Sequence, residues 1–306
     1  MAKTHLTPSN PFKEVSMMGK FLRPYFYLFP AFFFLAIFTY FPIFRSFYVS
    51  LFRWNTEYPQ KVFIGLQNYV DIYNDLLFWK VVKNTFFYST STIMVSMCLA
   101  LLLALLVNRK IKFVSFYRAS LFYPNLMPMV AVSLTWLWMY NPGYGVINYY
   151  LSKLGITPIE WLNDEKIALW SLVIMAIWKN VGYFMIFFLA GLQTIPYDLY
   201  DAARIEGANI FQKFWHVTFP LLAPFTFFVF IISIVNSFQS IDQVYIMTQG
   251  APNDSTNLFV YYIYQQAFRY WNMGYGATLT ALLMIFLLSL TLVLFRFLGG
   301  RIYYQA

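Results

Sequence analysis

Six stretches of this chain are almost wholly apolar, roughly residues 25–45, 84–107, 119–140, 167–190, 220–240 and 273–295. A helix rises about 1.5 Å per residue, so about 20 apolar residues cross a hydrocarbon core about 30 Å thick. None of the six alternates apolar and polar positions with a period of two, as a lipid-facing barrel strand would. In lipid an unpaired backbone group is costly, and a helix pairs all of its own. The pattern predicts an all-α, polytopic membrane protein with six transmembrane helices. The first run is too long for the apolar core of a signal peptide, and no small-residue cleavage site follows it, so it reads as a span. The division that follows is a tail over 1–24, a membrane domain over 25–295 and a tail over 296–306.

Between the fourth and fifth runs the pattern changes, at DAARIEGANIFQKFWHVTFP, residues 201–220. Pro196 suits a first helical turn, and a short helix to about Glu206 places Asp198 and Asp201 on one face. Gly207 supplies the backbone freedom that a sharp turn requires. Asn209 and Gln212 have the spacing of a capping box that starts a second short helix, and Pro220 marks its join to the fifth run. That second helix carries Ile210, Phe214 and Val217 along one side, with Phe211 and Trp215 beside them. A helix–turn–helix over about 194–220 results. An amphipathic helix resting on lipid usually shows lipid a basic face. Here Asp198, Asp201 and Glu206 stand against Arg204 and Lys213, which favours docking to a protein.

Composition agrees with the membrane reading: 60% of the 306 residues are hydrophobic and only 11% are charged, against about 25% charged in an ordinary soluble chain. Charge then sets the orientation. With the N-terminus inside, the inner segments hold Lys3, Lys13, Lys20, Arg23, Arg109, Lys110, Lys112, Arg118, Arg204, Lys213, Arg296 and Arg301. The outer segments hold Arg45, Arg53, Lys61, Lys80, Lys83, Lys153, Lys166 and Arg269. The excess of cations inside predicts N-in, C-in. Acidic residues lie mostly outside, so nearly all of the +9 net charge faces the interior.

Chemistry is sparse. The chain has no GxxxxGK[ST] phosphate loop, no HExxH and no GxSxG, which removes the usual devices for nucleotide binding, zinc hydrolysis and acyl transfer. Cys98 is the one cysteine, so no disulfide forms within the chain. No metal site and no catalytic residue is expected. The runs hold no carboxylate, and Asp242 comes closest, at the outer end of the fifth. Proton- and sodium-coupled carriers usually depend on such groups. Uphill transport by this chain would therefore take its energy from a partner.

The 201–220 segment resembles the cytoplasmic coupling loop of ATP-binding-cassette importer permeases, patterned Glu-Ala-Ala, then Gly, then Ile-x-Leu-Pro. Ala202, Ala203, Gly207 and Pro220 fall on that pattern; Asp201 stands for its Glu, Glu206 for a frequent Asp, Val217 for Ile and Phe219 for Leu. FIGLQNYVDIYNDLLFWKVVKNTFFYS (63–89) and TQGAPNDSTNLFVYYIYQQAF (248–268) are similar to outer segments of the carbohydrate-importer permeases, of the maltose and glycerol-phosphate type. Ala251 departs from a usual Gly, while Gly250, Pro252 and Thr256 remain. The resemblance implies a permease subunit, multi-pass in a bacterial plasma membrane, with no cofactor of its own and ATP and magnesium on a partner ATPase. It implies a second, homologous permease, two ATPase subunits and an extracytoplasmic binding protein that delivers a sugar, an oligosaccharide or a sugar-phosphate-like solute. The subunit would work by alternating access. Asp201, Ala202, Ala203, Glu206, Gly207, Phe211 and Pro220 would form the ATPase-coupling loop. A homodimer of permeases stays open beside a heterodimer, lipid surrounds the whole, and nothing points to nucleic acid. The rival reading is an ion-coupled secondary carrier of a small polar solute.

A solute pathway has two candidate signals. Lys179, in IWKNVGYF, lies mid-span, where a lysine costs a few kcal/mol unless it meets water or a partner. Either it faces a polar cavity with Asn180 and Tyr183, or it bonds backbone carbonyls or a partner subunit. Ser233, Asn236, Ser237 and Ser240 recur at helical spacing with Gln239 adjacent, a polar stripe that either lines a passage or glues helices. Trp136, Trp138 and Trp178 could stack on sugar rings, though in a chain with 35 Phe and 9 Trp packing is the commoner role.

Overall fold

The structure is a computed structural model that describes residues 24–57, 60–109 and 112–298. Most of the N-terminal tail, and the C-terminal tail from residue 299, lie outside the described residues. Helix α1 spans Pro24–Ser50 and includes a π-helical stretch, Ala36–Tyr40. A two-stranded antiparallel ribbon follows, β1 (Phe52–Arg53) against β2 (Val62–Phe63). Short runs of strand between two spans gave no periodic signal in the sequence.

Helix α2 (Gln67–Asn74) leads into α3, Leu76–Val107, which begins eight residues before the apolar run because Asp75 caps it. The Asp75 carboxylate accepts the amide of Leu77 at 2.9 Å, satisfying one of the orphan donors of a helix start. The third run is two helices, not one: α4 (Val114–Leu126) and α5 (Met129–Met139). Pro128 forces the residue before it out of the helical region, and Met127 is extended at φ −74°, ψ 139°.

Helix α6 (Val146–Lys153) lies in the segment before α7, Ala168–Thr194. Ile195 is extended ahead of Pro196, so α7 ends there for the same reason. Pro196 takes the cap position of α8 (Tyr197–Ile205) rather than a place inside its first turn. Helix α9 (Ile210–Leu221) carries a π-helical stretch over Phe214–Thr218. It meets α10 (Ala223–Phe238) at 65°. The join falls at Leu222, two residues beyond Pro220, with Pro224 in the first turn of α10. Helix α11 (Phe259–Tyr264) runs on through Gln265–Arg269, and α12 (Met273–Leu298) closes the chain.

Among the described residues, helices α1, α3, α7 and α12 are each long and apolar enough to cross a membrane, and the bent pair α9–α10 makes a fifth candidate if the two are taken as one span. The packing centre is the seam between α3 and α7. One buried cluster joins Tyr88 with Leu172, Val173 and Met175, and another joins Ala100 and Ala104 with Phe184, Met185 and Phe188. Gly182 decides how α4 meets this seam, since a Cβ there would stand 1.8 Å from the Leu121 carbonyl oxygen. Only a glycine lets the two backbones approach so closely.

Candidate coupling hairpin and polar cleft

The α8–α9 segment folds as its sequence pattern predicts. Gly207 has φ +79°, a left-handed conformation with open space around it, so backbone conformation and not crowding selects glycine. The amide of Ala208 donates to Ala203 O at 2.9 Å and that of Gly207 to Arg204 O at 3.1 Å, the paired bonds of a Schellman C-cap. The capping box of α9 is complete: Gln212 N donates to Asn209 Oδ1 at 2.9 Å, and Asn209 N donates to Gln212 Oε1 at 2.8 Å.

This hairpin presents Asp201, Ala202, Glu206, Gly207 and Phe211 on one exposed tip, with Ala203 half-buried behind them. Ile205, Ile210 and Phe211 are 87%, 81% and 78% exposed. Asp201 pairs with Arg204 at 3.1 Å, both exposed, a contact worth little to stability. Pro220 is exposed but stands ten residues into α9's path toward α10, away from the tip.

The second candidate splits. Lys179 Nζ donates to the carbonyl oxygens of Met127, Pro124 and Asn125, at 2.7, 3.2 and 3.3 Å. These carbonyls lie where α4 ends, Pro124 O also accepting the Met127 amide at 3.4 Å, so the ammonium group caps the broken helix and meets the negative end of its dipole. Lys179 also forms one wall of a cleft of about 370 Å³ with Asn180, Asn236, Gln239 and Ser240. Five of the eight pathway residues read from the sequence thus come together in one place. Tyr183 does not: its ring packs against Phe184 and Phe187. Nor do Ser233 and Ser237, which are buried and donate within α10 to Phe230 O and Ile234 O. The stripe therefore divides, Asn236, Gln239 and Ser240 lining the cleft and Ser233 and Ser237 buried within the packing.

Tyr88, Asp242 and Gln243 complete its polar lining, beside apolar Met129, Ala176 and Ile241. Buried Gln243 donates to the Tyr88 hydroxyl at 2.8 Å. Tyr88 belongs to a polar stripe on α3 with Thr85, Ser89 and Thr92, so the periodicity used on the fifth run was present in the second as well. Trp136 is buried against Tyr140 and Trp178 at 5.2 and 5.6 Å, a packing arrangement, and Trp138 is exposed. Among the described residues no group of three His, Cys, Asp or Glu side chains gathers to hold a metal.

At the start of α3, Asp75 accepts from the hydroxyls of Tyr262 and Tyr275 at 2.6 and 2.7 Å. Burial raises the Asp75 carboxyl pKa, but these two bonds, with the amides of Leu77 and Phe78, outweigh it and hold the group below its ordinary value. The 248–258 loop is tied down as well. Thr256 donates to Ala251 O at 2.7 Å, and Asn84 of α3 donates to Asp254 O at 2.8 Å.

Residues 96–302 match the family described as the binding-protein-dependent transport system inner membrane component. The chain belongs to this family. It is 34% identical over 286 residues to the sn-glycerol-3-phosphate transport system permease protein UgpA of Agrobacterium fabrum, covering 92% of this chain and 97% of that one. It is 34% identical over 260 residues to the trehalose/maltose transport system permease protein MalF of Thermococcus litoralis, covering 84% and 87%. A chain of the bacterial alginate ABC transporter, crystallised in complex with an alginate pentasaccharide-bound periplasmic protein, superposes with a TM-score of 0.79. That match covers 94% of this chain and 96% of the other at 20% identity, and shows a shared fold. This chain is thus an inner-membrane permease component of an ABC importer, and the ion-coupled carrier reading falls away.

Proposed function

We propose that this permease passes a carbohydrate-type solute and is driven through the α8–α9 hairpin by a separate ATPase. Exposed Ile205, Ile210 and Phe211, on a hairpin that also exposes Asp198, Asp201 and Glu206, carry this reading. Exposed apolar side chains among carboxylates suit a protein cleft and are poorly matched to an anionic membrane surface. A second permease, two ATPase subunits holding ATP and magnesium, and an extracytoplasmic binding protein complete the assembly. The membrane domain covers 25–295 with the hairpin at about 194–220. It crosses six times, N-in and C-in, with α4 and α5 together as the third crossing.

Relatives named for glycerol phosphate and for trehalose/maltose support a hydroxyl-rich cargo. The amide and hydroxyl groups of Asn180, Asn236, Gln239 and Ser240 suit such a cargo, and Lys179 adds less than a free cation would because three carbonyls already hold it. The test is co-purification in mild detergent from the native membrane, wild type against a variant carrying Asp201→Ala, Glu206→Ala and Gly207→Asp. An ATPase that accompanies the wild type and leaves a folded variant supports the dock; one that stays with both refutes it.

A further inference from the structure

Beside the hairpin lies a second cavity of opposite charge character. Leu102 and Leu105, on the last turns of α3, face Phe211, Phe214 and Trp215 of α9 across a cleft of about 550 Å³. The charged side chains on its lining are Arg109 and Lys213, both cationic. Among the described residues the ion pairs are Lys80–Glu165 and Arg204–Asp201, so no carboxylate neutralises either cation. Toward the cleft's inner end the Tyr200 hydroxyl and Thr218 Oγ1 bond each other at 3.0 Å. The remaining wall is apolar.

We propose that this cleft binds one anionic phospholipid, an acyl chain against the leucine and aromatic walls and the phosphate at Arg109 and Lys213. The inference rests on the reading above that the hairpin face is cytoplasmic. Three observations select a lipid over a protein. The cleft opens where α3 leaves the apolar run, and Arg109 belongs to the basic sequence Asn-Arg-Lys-Ile-Lys, 108–112, the kind of juxtamembrane cluster that attracts anionic headgroups. Trp215 is 58% exposed at the rim, where tryptophan commonly sits at headgroup depth. None of the hairpin carboxylates Asp198, Asp201 and Glu206 lines the cleft, whose charged groups are Arg109 and Lys213. Ile210 and Phe211 line this cleft and belong to the exposed face of the hairpin as well, so the lipid lies against the flank of the docking surface.

The test uses the purified full-length permease in vesicles and reads quenching of Trp215 by brominated lipid, taken as the difference between wild type and Trp215→Phe. Brominated phosphatidylglycerol should quench that component at a mole fraction about fivefold lower than brominated phosphatidylcholine does. Arg109→Gln with Lys213→Gln should abolish the difference, and either single variant should weaken it even if the double variant does not fold. Lys153→Gln, far from the cleft, should leave it intact. Equal quenching by the two lipids would reduce the cleft to ordinary bilayer contact. Quenching by neither, with or without the ATPase bound, would show it closed to lipid. Phosphatidylglycerol is present in both leaflets of such vesicles, so an error in orientation would not mimic either failure, and loss of the ATPase dock would appear only in the co-purification.

Discussion

A lysine inside a span is tolerated only with partners, and Lys179 finds three carbonyl oxygens at the end of α4. Lys179→Met removes the donor that Met127 O and Asn125 O share, at a cost of about 1–3 kcal/mol. A lower thermal midpoint of the detergent-solubilised protein should follow, and Lys179→Arg should restore much of it. Uptake lost at an unchanged midpoint would instead assign Lys179 to the solute. At Asp75 the titration has a definite sign. Its folded pKa lies below 3.8, so the stability from its tyrosine bonds is fully present above 3.8 and is lost as pH falls through the lowered value. Amide protection factors in residues 248–268, corrected for the intrinsic pH dependence of exchange, should therefore be flat from neutral pH down to about pH 5 and fall only in stronger acid. Asp75→Asn should remove that acid-dependent step. The sequence named Lys179 but left two roles open, because residue type and depth are legible in one dimension and the carbonyls it meets, 52 to 55 positions away, are not.

The hairpin was readable because every device in it is local: Gly207, the Asn209–Gln212 capping box and the apolar spacing lie within a few residues of what they control. The breaks in the third and fifth runs were less readable. Pro128 and Pro224 stood in plain view, but whether a proline bends a span or sits quietly in it depends on neighbours that supply the missing bonds. Gly207→Ala keeps the side chain small yet forces a left-handed β-carbon, at a cost of about 1–2 kcal/mol. Such a variant should insert normally and hydrolyse ATP in the assembled complex with reduced dependence on solute. Gly182→Val tests the opposite use of glycine. With the Leu121 carbonyl in the way, α4 must separate from α7, and we expect a loss of about 1–3 kcal/mol in stability, read as a drop in folded yield and thermal midpoint.

Across the whole molecule, the all-α membrane architecture follows from six apolar runs, and the fold is shared with an importer chain at only 20% identity. Packing of the runs was not legible, because a lipid-facing leucine and a buried one look alike in sequence. Orientation is testable with single cysteines in a Cys98→Ser background. Glu206→Cys should react with an impermeant maleimide only from the inside, and Tyr150→Cys only from the outside. Reaction of both from one side would overturn the N-in, C-in topology.

The close crossing of Gly182 with Leu121 divides α7 into two arms. At about 1.5 Å per residue, the helix extends about 21 Å from that point to Ala168 and about 18 Å to Thr194 on the hairpin side. The two arms are nearly equal, so if the crossing acted as a fulcrum, a sideways pull of a few ångströms at Thr194 would swing Ala168 by a similar distance in the opposite sense. Lys179, less than one turn from the crossing, would barely move, and the wall of the polar cleft would be the still point of that balance.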